Sequence, residues 1–178
     1  MKLSWHWQDY VFAGGMTAGM VVSALVIPML APQFLELVFW APLGGIFLTL
    51  GMARLQCRGS IAVMILPLAI VLALLSPLIG GYLTLTCLLT EAIIFFIGNY
   101  RTKRNRLIGN VVFFTLALVI GYITAAFLVG NEFARLLNQP LRFAGLIIAA
   151  GIAGSLGWWL GELVLSQLKR MGKWKTES

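Results

Sequence analysis

Charge is scarce in this chain: Asp, Glu, Lys and Arg make up 11% of its 178 residues, and only six side chains are acidic. A soluble domain carries about 25% charged and about 45–50% apolar residues, whereas here 60% are apolar and the mean hydropathy is +0.94. That composition excludes a soluble domain and requires an integral membrane protein. Histidine is limited to His6, which excludes a His-built metal site, His-ligated haem and a Ser-His pair within the membrane. The two cysteines, Cys57 and Cys87, fall in a loop and inside a predicted helix, so no disulfide is expected. No G-x-x-x-x-G-K-[ST] occurs, so any ATP use belongs to another chain. No metal, cofactor or enzymatic activity is expected. The excess of 13 basic over 6 acidic residues would suggest nucleic acid in a soluble protein, but in a membrane protein it reads as topology, and no nucleic-acid partner is expected.

What the chain has in abundance is long apolar runs. Apolar stretches divide into six spans at about 11–30, 36–54, 60–77, 80–100, 107–130 and 143–168, the third and fourth separated at Ser76-Pro77 and Gly80-Gly81, which is turn chemistry. Charge supports that division. Lys2, Arg54, Arg58, Arg101, Lys103, Arg104, Arg106, Lys169, Arg170, Lys173 and Lys175 fall on one side, and only Arg135 and Arg142 on the other. Basic residues gather in short cytoplasmic loops. The expectation is therefore an all-α, single-domain bundle of six transmembrane helices with both termini cytoplasmic. The first span is too long for a signal-peptide core and is expected to be retained. Trp5, Trp7 and Tyr10 before it and Trp174 after the last span suit the headgroup layer. No internal repeat is visible. In the outer loop NEFARLLNQPLR, Asn131, Glu132 and Phe133 are expected to begin a short surface helix ended before Pro140.

Two carboxylates fall inside spans, where an ionisable group costs about 2.5 kcal/mol or more unless protonated, paired or wetted. Glu91 is expected near the middle of the fourth helix, on one face with Thr84, Cys87 and Gly98. It is read either as a ligand-contacting acid or as a protonated carboxyl bonded to a neighbouring helix. Glu162 lies close to the inner surface, where snorkelling or pairing with the basic tail accounts for it. Around it, Ala150, Gly154, Gly157 and Gly161 form a smooth stripe suited to close helix packing. Gly154-Ser155-Leu156-Gly157 is similar to half of an intramembrane serine protease signature but has no partner base. In the first span, Gly14/Ala18 and Gly15/Gly19 are small-x-x-x-small pairs that either pack internally or admit another membrane subunit. At the outer end Gln33, Glu36, Trp40, Tyr82, Tyr122, Asn131, Glu132 and Arg135 can converge, giving aromatic walls with a few polar anchors for a small organic ligand. An ordinary aromatic belt is the alternative. Glu36 and Glu91 with Trp40 and Tyr82 suit a cationic ring, while Arg135 and Arg142 suit a carboxylate.

The six-span plan, the small-residue first helix, the outer segment IPMLAPQF leading into LELVFWAPLGGIFLTLGMAR, and LLTEAIIFFIGNYRTKRN together resemble the S component of an energy-coupling factor (ECF) transporter, closest to the Trep_Strep-like subgroup. The alanine pair of that family's first-helix A-x-x-x-A signature stands here as Gly14 and Ala18, or less well as Ala13 and Thr17. The resemblance implies a multi-pass protein of a prokaryotic cytoplasmic membrane that captures a vitamin-like micronutrient at its outer face. It also implies a T component docking on the first helix and two ATPases supplying energy. Nothing after Met1 matches the amino-terminal histidine motif of nickel and cobalt S components, so the implied substrate is organic. The ligand residues it leaves in view are Glu36, Trp40, Tyr82, Glu91, Asn131 and Arg135, with Gly14 and Ala18 for the partner. The alternative is a small membrane assembly or accessory protein that binds no solute.

Overall fold

A computed structural model describes residues 6–32, 35–128 and 131–172, with the side chains of Pro28, Asn131 and Glu132 excepted. Lys2, Trp5, Gln33, Lys173, Trp174 and Lys175, together with the side chains of Asn131 and Glu132, lie outside the described residues. The described chain forms α1 (Trp7–Leu30), α2 (Glu36–Leu55), α3 (Ser60–Ala73), α4 (Pro77–Ile97), α5 (Lys103–Leu128), α6 (Asn131–Leu137) and α7 (Pro140–Arg170). Five of these, α1, α2, α4, α5 and α7, are long and apolar enough to cross a membrane, as expected of a multi-pass membrane protein.

The expectation of six full spans needs correction at α3, which has only 14 residues, about 21 Å at 1.5 Å per residue. Pro77 explains the shortfall. It occupies the first turn of α4, where proline is pre-organised and its missing N–H costs nothing, so the break falls at 74–76 rather than after residue 77. Gly80 is consequently not a turn residue. It lies inside α4 with its Cα pressed against Ala73 and the Ala69 carbonyl, which lets α3 and α4 close into a tight hairpin. The short helix within NEFARLL forms as α6.

The five long helices and α3 alternate in direction along the chain, and α2 is the most buried of the five long ones. It packs on α1, α3, α5 and α7, while α4 joins α3 to α5 and α6 lies against α5 and α7. The smooth stripe on α7 serves this core. Gly157 meets Gly45, and Gly161 meets Thr49, so α2 and α7 run parallel at backbone contact. Trp40, Leu48, Met52, Met64, Leu83, Phe113 and Phe114 fill the space between the helices.

The start of α1, the end of α2, the start of α3, the end of α4, the start of α5 and the end of α7 share one end of the bundle. Asp9 pairs with Arg54 there at 2.9 Å, and Arg106 with Glu162 at 2.6 Å. Arg58, Arg101, Lys103, Arg104, Lys169 and Arg170 are exposed at the same end. The opposite end carries Glu36, α6 and the start of α7.

Candidate functional site

At the end away from the basic cluster, three helices bring one acid and two phenols together. Glu36 opens α2, where a carboxylate complements the helix dipole. It is exposed, and among the described residues no Lys or Arg pairs with it. Leu37 and Val38, which follow it in α2, pack on the cluster around Tyr122 of α5 and on the core that Tyr82 of α4 also borders. The Tyr82 ring lies beside Gly121 of α5, where an added Cβ would meet it in ordinary contact at 3.6 Å. Tyr122 is buried and meets Phe133 of α6 edge-on at 5.8 Å and Phe143 of α7 at 6.0 Å. Arg135 lies exposed on α6. The arrangement sets a carboxylate with no basic partner among the described residues near phenol rings and aromatic faces, groups of the kind that suit a small organic molecule carrying a cation.

Two expected members of that site are engaged elsewhere. Trp40, one turn along α2 from Glu36, is 5% exposed. Its Nε1 donates to Ser23 Oγ at 3.0 Å, and its ring meets Phe114 edge-on at 5.6 Å. The indole therefore ties α1 to α2 rather than forming an open wall. Glu91 is the larger correction. It stands six residues from the end of α4, about 9 Å along the axis, and so belongs to the basic end instead of the middle of the membrane.

Its carboxylate is the cap of another helix. Oε1 accepts from the N–H groups of Ile61 at 2.8 Å and Ala62 at 3.3 Å, and Oε2 accepts from Gly59 at 2.9 Å. The first turn of an α-helix has N–H groups without intrahelical partners, and α3 has no side chain of its own at its N-cap to take them, because that position is Gly59 at φ +87°. Glu91 supplies the acceptors and the negative charge that a helix N-terminus favours. Beside it the buried Tyr100 hydroxyl approaches the carboxylate without completing a hydrogen bond of ordinary geometry. Burial first, and the Glu91 charge second, hold the Tyr100 phenol above its usual range. Of the reading of Glu91 as a protonated carboxyl bonded to a neighbouring helix, the bond to the helix fits its placement, but the partners are backbone amides donating to both oxygens, which a carboxylate accepts without a proton of its own.

Glu162 also finds a partner the sequence did not single out. Arg106, 5% exposed, reaches it from α5 and donates in addition to the Tyr100 and Arg101 carbonyls at 3.0 Å. Arg106 had been placed in a loop, but Thr102 Oγ1 accepts from Asn105 N at 3.2 Å and starts α5 early. One turn further, Asn110 Nδ2 donates to Thr49 Oγ1 at 3.0 Å, a buried polar link between α5 and α2 that hydropathy alone hides.

On α1 the small residues divide between two faces. Ala13 and Thr17 are buried, Thr17 Oγ1 donating to Met64 O at 3.0 Å, and Gly19 abuts Phe47. Gly14, Gly15 and Ala18 are exposed, and a Cβ added at either glycine meets nothing within 4 Å. Shallow apolar grooves of about 590 Å³ and 530 Å³ run along either side of this face, towards α3 and α2 respectively. Comparison of the chain with models of known families, with curated proteins and with solved structures gave no match.

Proposed function

We propose that this chain is the solute-binding membrane subunit of an importer, of the kind its sequence resembles: an ECF-type S component that captures a vitamin-like organic micronutrient. The observation that carries this reading is the packing of the start of α2, which Glu36 opens, against the regions of Tyr82 and Tyr122, the latter ringed by Phe133 and Phe143, at the end with the fewest basic residues. The positive-inside rule supports placing that end outside and both termini in the cytoplasm, and the ECF resemblance suggests a prokaryotic cell. Arg135 and Asn131 lie on the short helix over this cluster and complete the proposed binding set, whereas Trp40 supports it from within. Energy then comes from partners, a T component and two ATPases. The exposed Gly14–Ala18 face of α1 is the proposed docking surface, since small residues there admit a second backbone.

A second reading, an assembly or accessory protein without a solute, draws support from Trp40 and Glu91, both of which are engaged in holding the bundle together. Purification from cells grown in rich medium separates the two readings. Denaturation of the folded protein should release one small organic compound enriched over a mock purification, and its absence favours the accessory role. Gly14→Leu or Ala18→Leu should then weaken coassembly with a T component while sparing the compound; unchanged coassembly in both would remove α1 as the docking face.

A further inference from the structure

Three arginines at the basic end are held by side-chain contacts, and one of them differs in kind. Arg54 pairs with Asp9 and Arg106 with Glu162, but among the described residues Arg58 has no carboxylate within ion-pair distance. It is nevertheless fixed. Its Nε donates to the Gly98 carbonyl at 3.0 Å, and its guanidinium carbon sits 4.4 Å from the centroid of the Phe95 ring. Gly98 can present that carbonyl because it leaves α4 at φ +142°, a conformation that favours glycine. A guanidinium has five N–H donors in a planar fork. The contact to Gly98 uses the one on Nε, the side chain is exposed, and among the described residues its Nη groups have no hydrogen-bond acceptor.

The surface beneath this fork is apolar and faces away from the bundle. Phe95 is 57% exposed and Phe96 87%. Continuing along α4, Leu88 and Leu85 lie on the same face as Phe95 and line a groove of about 380 Å³ against Ala69 and Ile70 of α3. From Phe95 to Leu85 is about 15 Å along the axis, close to half of a hydrocarbon core about 30 Å thick. Arg101, exposed three residues beyond Gly98, adds a second cation at the same turn.

We propose that Arg58, seated on Phe95 and joined by Arg101, binds the phosphate of an anionic phospholipid, one of whose acyl chains lies along α4 from Phe95 towards Leu85. A planar guanidinium fork matches phosphate oxygens two at a time. A free phosphate would use the guanidinium alone, whereas a lipid also covers the exposed apolar side chains of Phe95, Leu88 and Leu85. Bound there, the headgroup bridges the α2–α3 connection and the turn after α4.

The test uses the full chain in mixed micelles of dioleoylphosphatidylglycerol and dioleoylphosphatidylcholine, with retained lipid counted by native mass spectrometry. The unaltered chain should retain phosphatidylglycerol preferentially. Arg58→Gln should cut that preference about tenfold, the worth of a hydrogen bond between charged groups. Phe95→Leu, which keeps an apolar surface but removes the ring under the guanidinium and carries little folding risk at an exposed site, should also reduce it. The double variant Lys169→Gln with Arg170→Gln, exposed at the same end, should not. An unchanged preference in both Arg58→Gln and Phe95→Leu would overturn the proposal, as would an equal loss in the Lys169/Arg170 variant, which would mean diffuse attraction. Displacement of the lipid by millimolar inorganic phosphate would identify a free-anion site and overturn it as well.

Discussion

Replacing Glu91 by glutamine removes one acceptor from a cap that serves three donors. The surviving amide oxygen can keep Ile61 and Ala62, now at 2.8 Å and 3.3 Å from Oε1, but the new NH2 group then faces the Gly59 N–H, 2.9 Å from Oε2, donor against donor. The loss of one charge-assisted bond is worth about 1.5–3 kcal/mol. Removing negative charge from the start of α3 adds about 0.3–1 kcal/mol, so Glu91→Gln should destabilise by about 2–4 kcal/mol. For a chain of this length 1 kcal/mol moves Tm by about 2–4 °C, and the expected drop is therefore several degrees. Glu91→Ala strips all three N–H groups of their acceptor and should cost more. Thermal unfolding followed by tryptophan fluorescence in detergent reads the size of the effect, and hydrogen exchange at Gly59, Ile61 and Ala62 reads its location. A Glu91→Gln protein that melts with the parent, exchanges those amides no faster and yet loses its solute would refute the capping argument and return Glu91 to the binding site.

Three further outcomes follow from the same contacts. Glu162→Gln leaves Arg106 buried without its anion and should cost about 3–5 kcal/mol, measured by the same melt, whereas replacing both partners by methionine should recover much of the loss. Gly157→Ala places a Cβ 2.8 Å from the Ala41 and Pro42 carbonyl oxygens and Gly45 Cα, a backbone clash of about 1–3 kcal/mol, while Gly15→Ala meets open space and should gain up to about 1 kcal/mol of helix propensity; equal melting temperatures for the two would contradict the α2–α7 crossing. In a background lacking Cys57 and Cys87, Lys103→Cys and Asn138→Cys should react with an impermeant thiol reagent from opposite sides of the membrane, and labelling of both from outside would overturn the assigned orientation.

Apolar runs and basic loops made most of the bundle legible, because desolvation and the charge of the membrane surface act on composition that any reader of the sequence can see. The α7 stripe was legible for a similar reason, since small residues at spacings of three and four have one common use in a packed bundle. Pro77 shows where the reading failed: proline next to Ser76 marks a boundary, but only the first-turn preference of proline says that the helix starts there, and the two glycines behind it drew the break too far. Glu91 was misplaced because hydropathy gives the depth of a residue along its own helix and nothing about which neighbouring helix begins beside it. Its signal was present on the other side of the contact, in a helix whose N-cap is Gly59 and which therefore lacks an acceptor. Glu162 was expected to snorkel or to pair with the basic tail, and Arg106 to lie in the loop before the fifth span, although Thr102 as an N-cap would have drawn Arg106 into α5. Trp40 was read by its nearness to the outer end, but a ring pointing inward from that position belongs to the core.

The central claim is that a solute binds at the end defined by Glu36, Tyr82 and Tyr122, and isothermal calorimetry with the compound released from the purified protein tests it most directly. Glu36→Gln keeps the size of the side chain and removes its charge at an exposed helix start, so the fold should survive while affinity for a cationic or hydrogen-bonding compound falls about tenfold or more. Glu91→Gln, at the opposite end of α4, should bind with the affinity of the parent once folded. Undiminished binding to Glu36→Gln together with lost binding to folded Glu91→Gln would contradict the account and move the solute to the other end of the bundle.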